Sequence, residues 1–231
     1  MKIAVCMLTR NEVDCVKVMF PKMPKPGPEA GFDSIVAIDG SSRDGTVEYL
    51  QSQGVPVIRQ TGRGRGDAFL QAFARVDADA YIFFSPDGNE DPEDLKRFRP
   101  LLEQGADLVI ASRMMKGAHN EEDDQFLRWR KWTNLAFTLL VNLLFRRSGP
   151  YISDTINGYR ALRKSTAQKL MLDSVDYTIE FQMSIRALKA GMKIVEFPTH
   201  EASRIAGATG APSIPTGVAF VKKLLAEYRL G

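Results

Sequence analysis

The first 112 residues alternate short apolar segments with helical patterns, and this alternation constrains the fold more than any other feature of the chain. The apolar segments are rich in Ile, Val and Phe at consecutive positions, as strands are when helices cover both faces of a parallel sheet. We predict strands at residues 2–8, 34–38, 56–59, 80–84 and 108–111. The helical patterns between them cover residues 46–52, 67–76 and 92–103. This order predicts a doubly wound α/β domain with its ligand site at the carboxyl ends of the strands.

The second half of the chain departs from that alternation. A long helical pattern covers residues 124–147. After it we predict a strand, two helices, another strand and a final helix, at residues 158–162, 165–171, 179–190, 192–198 and 215–229. The 231 residues suit one large α/β domain. We therefore expect a single domain over residues 1–231, with a mostly parallel sheet and helices on both faces.

The composition argues against several other classes of protein. A net charge of +3 is too small to indicate a nucleic-acid partner. One of the two cysteines, Cys6, lies inside a strand pattern, which argues against a disulfide framework and favours a reducing cytosol. The first residues lead directly into a strand without a signal-peptide pattern. No apolar run reaches the ~18 residues that a membrane span needs.

Residues 39–46 connect the second strand to a helix with the sequence Asp-Gly-Ser-Ser-Arg-Asp-Gly-Thr. A carboxylate at the strand end, Asp39, can accept from a ribose hydroxyl or a base N–H, and the turn brings backbone N–H groups to the same place. The alternative is an Asx turn that only caps the helix, but Asp44 can fill that role and leave Asp39 free. Residues 9–12 close the first strand and are expected at the same crevice, unless they form only an N-cap and a charged first turn.

Two further strand ends carry polar loops. Residues 62–68 contain Gly-x-Gly-x-Gly before a helix, and their two arginines would bring positive charge to a phosphate or diphosphate; the alternative is a solvated basic turn. Residues 85–92 follow an apolar strand. There we expect Asp87 and Asn89 to alternate on an extended backbone, so that oxygens of both face one cation. A tight acidic turn without a metal is the alternative.

Isolated polar residues of the second half suggest a pocket for a second substrate. Asp154 lies in a polar turn before a strand, and Arg113 and Arg204 lie at loop positions. A lone Asp in such a turn can also be a cap. Glu180 opens a helix, where a carboxylate also suits the helix dipole.

The long helical pattern carries a separate signal. Residues 135–145 are almost wholly apolar and lie between basic ends, with Trp129 and Trp132 nearby. This pattern suits an amphipathic helix in a membrane interface, with aromatic rings at headgroup depth and cations on anionic lipid. An ordinary core helix with basic ends is the alternative.

In their order and spacing, these motifs resemble the inverting family-2 glycosyltransferases with a GT-A fold. More narrowly, they resemble the polyprenyl-phosphate (dolichyl-phosphate) mannose and glucose synthases. The resemblance covers nearly the whole chain, from Asn11 to about Gly207. Its motifs are Asn11-Glu12, residues 39–46, residues 62–68, the loop at Asp87, Ala111-Ser112-Arg113, residues 154–160, Glu180-Phe181-Gln182, Glu196-x-Pro198 and Arg204-x-x-Gly207.

The resemblance implies a Rossmann-like GT-A domain in which residues 1–112 bind the nucleotide sugar and residues 113–231 bind the acceptor. It also implies that Asp87 and Asn89 hold Mg²⁺ or Mn²⁺ on the diphosphate. The implied donor-binding and phosphate-binding residues are Thr9, Asn11, Glu12, Asp39, Ser41, Arg63, Arg65, Asp67 and Arg128. The implied catalytic residues are Asp87, Arg113, Asp154, Glu180 and Arg204. Among them the two arginines, together with Arg128, would bind the acceptor phosphate.

The implied reaction moves a hexose from GDP-mannose or UDP-glucose to a polyprenyl or dolichyl phosphate with inversion. The enzyme would be cytoplasmic and peripheral on the cytoplasmic face of a membrane, with the amphipathic helix docked there and with no nucleic-acid partner. An acceptor phosphate is already an anion, so it needs orientation by arginines more than a general base. A sugar hydroxyl acceptor would instead require a carboxylate base, and Asp154 and Glu180 are the candidates.

The chain departs from the family pattern in two places. Ser85 stands where family members usually have the first Asp of an Asp-x-Asp metal loop, and the lysine that usually follows Gly207 is missing. One alternative function is therefore a family-2 enzyme with a soluble or polysaccharide acceptor. Another, motivated by Ser85, is a non-catalytic nucleotide-sugar-binding module. A dinucleotide-dependent oxidoreductase is disfavoured, because no glycine-rich turn follows the first strand.

Overall fold

The computed structural model describes residues 1–123, 128–206 and 213–231. Within these ranges the strands are β1 (Ile3–Thr9), β2 (Ser34–Asp39), β3 (Val57–Arg59), β4 (Ala80–Phe84), β5 (Leu108–Ser112), β6 (Arg160–Arg163) and β7 (Ile194–Pro198). They form one sheet in the order β3-β2-β1-β4-β6-β5-β7. The predicted mixed α/β fold with a mostly parallel sheet is confirmed.

The helices of the described residues are α1 (Val13–Met19), α2 (Thr46–Ser52), α3 (Arg65–Arg75), α4 (Leu95–Glu103), α5 (Trp129–Phe145), α6 (Lys164–Leu170), α7 (Ile179–Lys189) and α8 (Ser213–Arg229). Short 3₁₀ turns lie at Phe20–Lys22, Pro28–Ala30 and Pro92–Asp94. The predicted elements differ from these mainly at their ends. The largest difference is in the long helix, which begins at Trp129; residues 124–127 of the predicted span lie outside the described residues. The segment from Gly207 to Ala211, where the family pattern breaks, also lies outside them.

Alternate residues of β1 pack on opposite faces of the sheet. Ala4 and Cys6 belong to a buried cluster that also contains side chains of α3, α5, α6, α7 and α8. Ile3 and Val5 belong to a second cluster with side chains of α1, α2 and α4. Because successive strand residues point to opposite faces, helix layers on both faces require an apolar residue at nearly every strand position.

The strand order reverses beside β1, since β2 and β3 lie on one side of it and β4 lies on the other. These neighbours are all parallel. β6 runs antiparallel between β4 and β5. The residues that precede β6 therefore lie at the same edge of the sheet as the carboxyl ends of the parallel strands. A reversal of this kind leaves a crevice at that edge, where α/β proteins bind their ligands.

Candidate active site

A cavity of about 1150 Å³ opens at this reversal of strand order. Residues that follow β1, β2, β3 and β4 line it, together with residues of α5 and α8. It brings together Thr9, Asn11, Glu12, Ser41, Arg63, Arg65, Asp87, Asn89, Arg113, Glu180 and Arg204 from the sequence-predicted set. Four other predicted residues are not among its lining residues, namely Asp39, Asp67, Arg128 and Asp154.

The loops that follow β1 and β2 are fastened to each other. The side-chain oxygen of Asn11 accepts from the backbone N–H of Arg43 at 2.9 Å, and the Asn11 N–H donates to Ser42 Oγ at 2.8 Å. Asp44 accepts from one backbone N–H at the start of α1 and one at the start of α2, each at 3.0 Å. Asp44 thus has the capping role that the sequence suggests, and the two loops form a continuous wall of the cavity.

Asp39 is fully buried, and both of its oxygens are engaged. They accept from the N–H and Oγ of Ser42, at 2.9 and 2.5 Å, and from Thr9 Oγ1 at 3.2 Å. The expectation that Asp44 leaves Asp39 free is wrong, because Ser42 lies three residues on and reaches back to close the turn. A direct contact between Asp39 and a nucleoside stays a prediction.

Glycines set the path of the loop before α3. A Cβ on Gly64 would lie 2.3 Å from the Val175 carbonyl oxygen, and one on Gly66 would lie 2.2 Å from the Ser174 carbonyl oxygen. Gly64 also has a φ of +97°, which disfavours other residues. The loop is therefore held against the backbone before α7.

Asp67 holds this loop from within. Its carboxylate is buried and accepts from the Gly62 N–H and from Gln60 Nε2, each at 3.1 Å. The structure therefore corrects the expectation that Asp67 faces the donor. Arg63 is exposed and lines the cavity, so it keeps the position that the sequence predicts.

The loop after β4 is a turn rather than the extended backbone expected for it. Gly88 has a φ of +100°, and the Asn89 N–H donates to Asp87 Oδ1 at 3.2 Å. The turn is held by the segment after β7, since the Ile205 N–H donates to the Asp87 carbonyl at 2.9 Å and the Ala202 N–H donates to the Asn89 carbonyl at 3.0 Å. Asp87 and Asn89 nevertheless line the same cavity.

Arg204 connects this turn to the first loop. Its Nη1 donates to Asp87 Oδ2 at 2.9 Å, and its Nη2 donates to Glu12 Oε1 at 2.5 Å. Burial raises the pKa of Asp87 although Arg204 opposes the rise, and burial likewise raises the pKa of Glu12. Negative charge is therefore costly here, and a bound cation would relieve that cost.

The described residues contain no group of three or more His, Cys, Asp or Glu side chains arranged to hold a metal. The set of possible metal ligands at this turn is smaller than such a group. It is one carboxylate, Asp87, and one amide, Asn89, whose Nδ2 donates to Glu121 at 3.2 Å and whose Oδ1 is the atom suited to a cation. One or two protein oxygens completed by substrate phosphates is an ordinary way to bind Mg²⁺, so these residues fit such an ion.

A buried ion pair lies behind the cavity wall. Asp154 is 1% exposed, and its oxygens accept from Arg113 Nε at 2.8 Å and from Arg113 Nη2 at 3.1 Å. The guanidinium of Arg113 lowers the pKa of Asp154 against the effect of burial. Arg113 Nη1 also donates to Glu201 at 3.0 Å. Arg113 therefore reaches the cavity as predicted, whereas Asp154 holds it from behind.

Glu180 faces the cavity in an ion pair, with its Oε1 accepting from Arg65 Nε at 2.5 Å. Arg128 does not reach the cavity, because its guanidinium donates to the backbone carbonyl and carboxylate of Asp123. Arg130 lines the cavity in its place and pairs with Glu121 at 2.9 Å.

The cavity lining also contains six charged residues outside the predicted site set, which are Arg10, Arg43, Glu90, Glu121, Arg130 and Glu201. Glu90 accepts from the Ser85 N–H at 2.7 Å, and burial raises its pKa well above the usual value, with Asp87 adding to the rise. Its place three residues after Asp87 in the same acidic loop was the available signal. Glu201 follows the last strand, and that strand end was the signal for it.

The side of α5 that faces away from the core is apolar and exposed. Trp132 and Leu139 are each 58% exposed, and Leu143 is 75% exposed. At the amino end of the same helix, Trp129 and Arg130 line the cavity. No helix within the described ranges is long and apolar enough to span a bilayer. A helix with an exposed apolar side is thus present where the sequence predicts one, and its amino end lines the cavity. Its place in a membrane interface stays a prediction.

Residues 5–170 match the family model "Glycosyl transferase family 2". The match covers more than half of the chain, so the protein belongs to glycosyltransferase family 2 and is a glycosyltransferase. The predicted family and enzyme class are confirmed.

Two curated relatives are similar over most of the chain. Glycosyltransferase AglJ of Haloferax volcanii is 29% identical over 204 residues, which are 85% of this chain and 62% of that protein. The chain therefore spans less than two thirds of that relative. Undecaprenyl-phosphate mannosyltransferase of Micrococcus luteus is 27% identical over 213 residues, which are 86% of this chain and 82% of that protein.

The fold is similar to that of a solved enzyme, glucosyl-3-phosphoglycerate synthase from Mycobacterium tuberculosis, in a complex with Mn²⁺, UDP and glucosyl-3-phosphoglycerate. The TM-score is 0.74 at 16% sequence identity, over 99% of this chain and 80% of the other. At that identity the likeness supports the GT-A fold alone.

Proposed function

We propose that this glycosyltransferase moves a hexose from a nucleoside-diphosphate sugar to a polyprenyl-type lipid phosphate with inversion of the anomeric centre. One observation carries the proposal. A single cavity joins the loops expected to bind a nucleotide to a group of arginines and to the amino end of α5, the helix whose outward side is apolar and exposed. The name of the Micrococcus luteus relative, an undecaprenyl-phosphate mannosyltransferase, supports the same type of acceptor.

The donor end lies at the loops after β1, β2 and β3. Thr9, Asn11, Glu12 and Ser41 would hold the nucleoside, and the arginines of residues 62–68 would face its diphosphate. GDP-mannose and UDP-glucose both fit this proposal. Residues 1–112 would thus supply most donor contacts and residues 113–231 most acceptor contacts, within one domain.

Asp87 and Asn89 would hold Mg²⁺ or Mn²⁺ together with oxygens of the diphosphate. Such an ion stabilises the negative charge that grows on the leaving diphosphate. The Mn²⁺ and UDP in the structure of the Mycobacterium tuberculosis enzyme support a divalent ion as a partner of this fold. Arg204 fixes Asp87 and the first loop in one arrangement, which keeps the proposed metal end and nucleoside end at a constant separation.

The acceptor end would be formed by Arg113, Arg130 and Arg204. Each of them is held by a carboxylate in this structure, so their guanidinium groups are already oriented toward the cavity. The two carboxylates proposed as a base for a hydroxyl acceptor are unsuited to that task. Asp154 lies outside the cavity lining, and Glu180 is engaged with a guanidinium. An acceptor that is already an anion needs no base, which favours a phosphate.

The apolar face of α5 would rest in the interface of a membrane, on its cytoplasmic side. α5 exposes leucines such as Leu139 and Leu143 and has basic residues at both ends. This arrangement matches a helix that lies in the interface, with its apolar face among the acyl chains. A lipid phosphate in the same membrane would then reach the arginines without leaving its own leaflet.

The test begins with titration of the full chain with GDP and with UDP, each with and without Mn²⁺. Metal-dependent binding of one nucleotide is expected, and it selects the labelled donor for a transfer assay. Vesicles that contain polyprenyl phosphate should then gain label, whereas vesicles of the same lipids without it should not. Nucleotide binding without labelled lipid would favour the soluble-acceptor alternative. If neither nucleotide binds, the proposed GDP- or UDP-linked donor is refuted.

A further inference from the structure

Four separate parts of the chain meet at Arg65 in the wall of the cavity. Arg65 is the first residue of α3, and Glu180 lies in the first turn of α7. Ser85 directly follows β4, and Gly158 lies shortly before β6. All four residues line the cavity. Because they are distant in sequence, only the fold brings them together.

The guanidinium of Arg65 is held at two of its three nitrogens. Nε donates to Glu180 Oε1 at 2.5 Å, and Nη1 donates to Ser85 Oγ at 3.2 Å. Within the described chain no residue accepts a hydrogen bond from Nη2. The Glu180 side chain is 3% exposed, whereas that of Arg65 is 23% exposed. The pair therefore places a buried carboxylate beside a cation that keeps a donor nitrogen for a ligand in the cavity.

Gly158 provides the space that this guanidinium occupies. A Cβ at that position would lie 2.0 Å from Arg65 Nη2 and 3.1 Å from Glu180 Oε1. Gly158 is not among the glycines with a positive φ. Its lack of a side chain is therefore explained by the close approach of Arg65 rather than by backbone conformation.

The main chain at Glu180 is also held in place. The backbone carbonyl of Glu180 accepts from Arg160 Nη1 at 2.8 Å, and Arg160 is fully buried. Although burial opposes it, the ion pair with Glu180 raises the pKa of Arg65, and the carboxylates of Glu90 and Asp87 add to the rise. The cation is thus permanent and faces the same part of the cavity as the proposed metal turn.

We propose that Glu180, Gly158 and Ser85 are positioning residues, which hold Arg65 in the single orientation in which it meets the diphosphate of the donor. The inference rests on the proposed function, because it assumes a nucleoside-diphosphate donor. It assigns Glu180 a role different from that of a general base. A carboxylate that is almost fully buried and hydrogen-bonded to a guanidinium serves to orient the guanidinium, and an oriented cation binds phosphate without the entropy cost of ordering a free side chain.

The experiment measures the affinity of the full chain for GDP, UDP and the two free nucleosides by competition. R65Q and G158A should each weaken binding of the selected diphosphate about tenfold, which is the expected scale for a lost charge-assisted hydrogen bond, and leave nucleoside binding unchanged. The matched control is R75Q, which removes a positive charge from the exposed end of the same helix and should change neither affinity. Thermal melting is followed for every variant, and R65Q decides the test if G158A does not fold.

A double-mutant cycle tests the role of Glu180. E180Q should weaken diphosphate binding severalfold in the wild-type background and have no further effect in the R65Q background, because it acts through Arg65. The inference is overturned if E180Q lowers kcat by the same factor in both backgrounds while donor affinity is unchanged, since that result marks a base. It is also overturned if R65Q leaves diphosphate binding intact while the wild-type chain prefers diphosphate over nucleoside. If the wild-type chain shows no such preference, the proposed function fails and this inference fails with it.

Discussion

Replacing Asp154 with Asn should lower the stability of the folded protein rather than remove a catalytic group. The carboxylate accepts five hydrogen bonds: three from Arg113, through its backbone N–H, Nε and Nη2, and two from the backbone N–H groups of Ile156 and Asn157. With 1% of the side chain exposed, solvent does not screen the pair. Breaking one partner of such a buried pair costs about 3–5 kcal/mol. In a chain of this length each kcal/mol lowers Tm by about 2–4 °C, so we expect D154N to melt about 6–20 °C lower.

The assay is thermal unfolding followed by circular dichroism, with nucleotide binding measured well below Tm. The matched control is D77N. Asp77 also forms an ion pair, with Lys2, but its side chain is 88% exposed, so the substitution should change Tm little. A Tm of D154N within about 2 °C of the wild-type value, combined with loss of transfer, would refute the reasoning and make Asp154 a catalytic residue.

The same pair predicts a pH dependence. Arg113 lowers the pKa of Asp154 in the folded state below the unfolded value of about 3.9. The stability that the charged carboxylate contributes is therefore fully present above pH ~4 and is lost as the pH falls through the folded pKa. The difference in Tm between the wild type and D154N should be constant from pH ~7 to ~5 and should narrow only below pH ~4. A difference that narrows already near neutral pH would contradict this assignment.

Three further predictions concern the metal turn, the apolar face and the last helix. D87A should abolish the part of nucleotide binding that depends on Mn²⁺, and titration that shows unchanged affinity would disprove the metal assignment. Glu in place of Leu139 and Leu143 should leave Tm unchanged, since both side chains are exposed, but should prevent sedimentation with anionic vesicles, whereas Glu in place of the exposed Val18 on α1 should not. Glu227 is 1% exposed and joins α8 to α7 through hydrogen bonds from Gln182 and Arg186, each 2.9 Å long, so E227A should lower Tm by about 6 °C or more. An unchanged Tm would mean that apolar contacts alone hold α8.

The strands could be predicted because a strand that is buried on both faces requires a run of apolar residues, which the sequence shows directly. β1 and β4 are buried at every position, and each contains a continuous apolar run. The polar residues that follow these runs mark the edge where ligands bind. Because the carboxyl ends of parallel strands lie at one edge of the sheet, the sequence predicts a site that contains Thr9 and Asp87. Both residues line the cavity. The antiparallel direction of β6 could not be predicted from its four residues, because direction depends on where the preceding loop crosses the sheet.

The direction of each side chain was less predictable, because long-range partners decide it. Arg128 and Arg130 are two residues apart in one basic segment, yet Arg130 pairs with Glu121 and lines the cavity, whereas Arg128 donates to Asp123 and is not among the lining residues. Glu180 suits the start of a helix from its sequence position alone. Its pairing with Arg65 joins residues 115 positions apart, so the contact cannot be predicted from the residues near either of them in the sequence.

The aspartates of the motifs show the limit most clearly. Asp39 ends β2, Asp87 follows β4 and Asp154 precedes β6, and each accepts a hydrogen bond from a backbone N–H two or three residues further on. The sequence can predict this shared turn, because short acidic side chains favour it. Whether a carboxylate also meets a ligand depends on its second set of partners. For Asp39 and Asp154 these are a hydroxyl and a guanidinium in the protein interior, whereas Asp87 is 17% exposed beside Arg204 in the cavity. Among the three, Asp87 is therefore the aspartate whose replacement should change ligand binding more than it changes Tm.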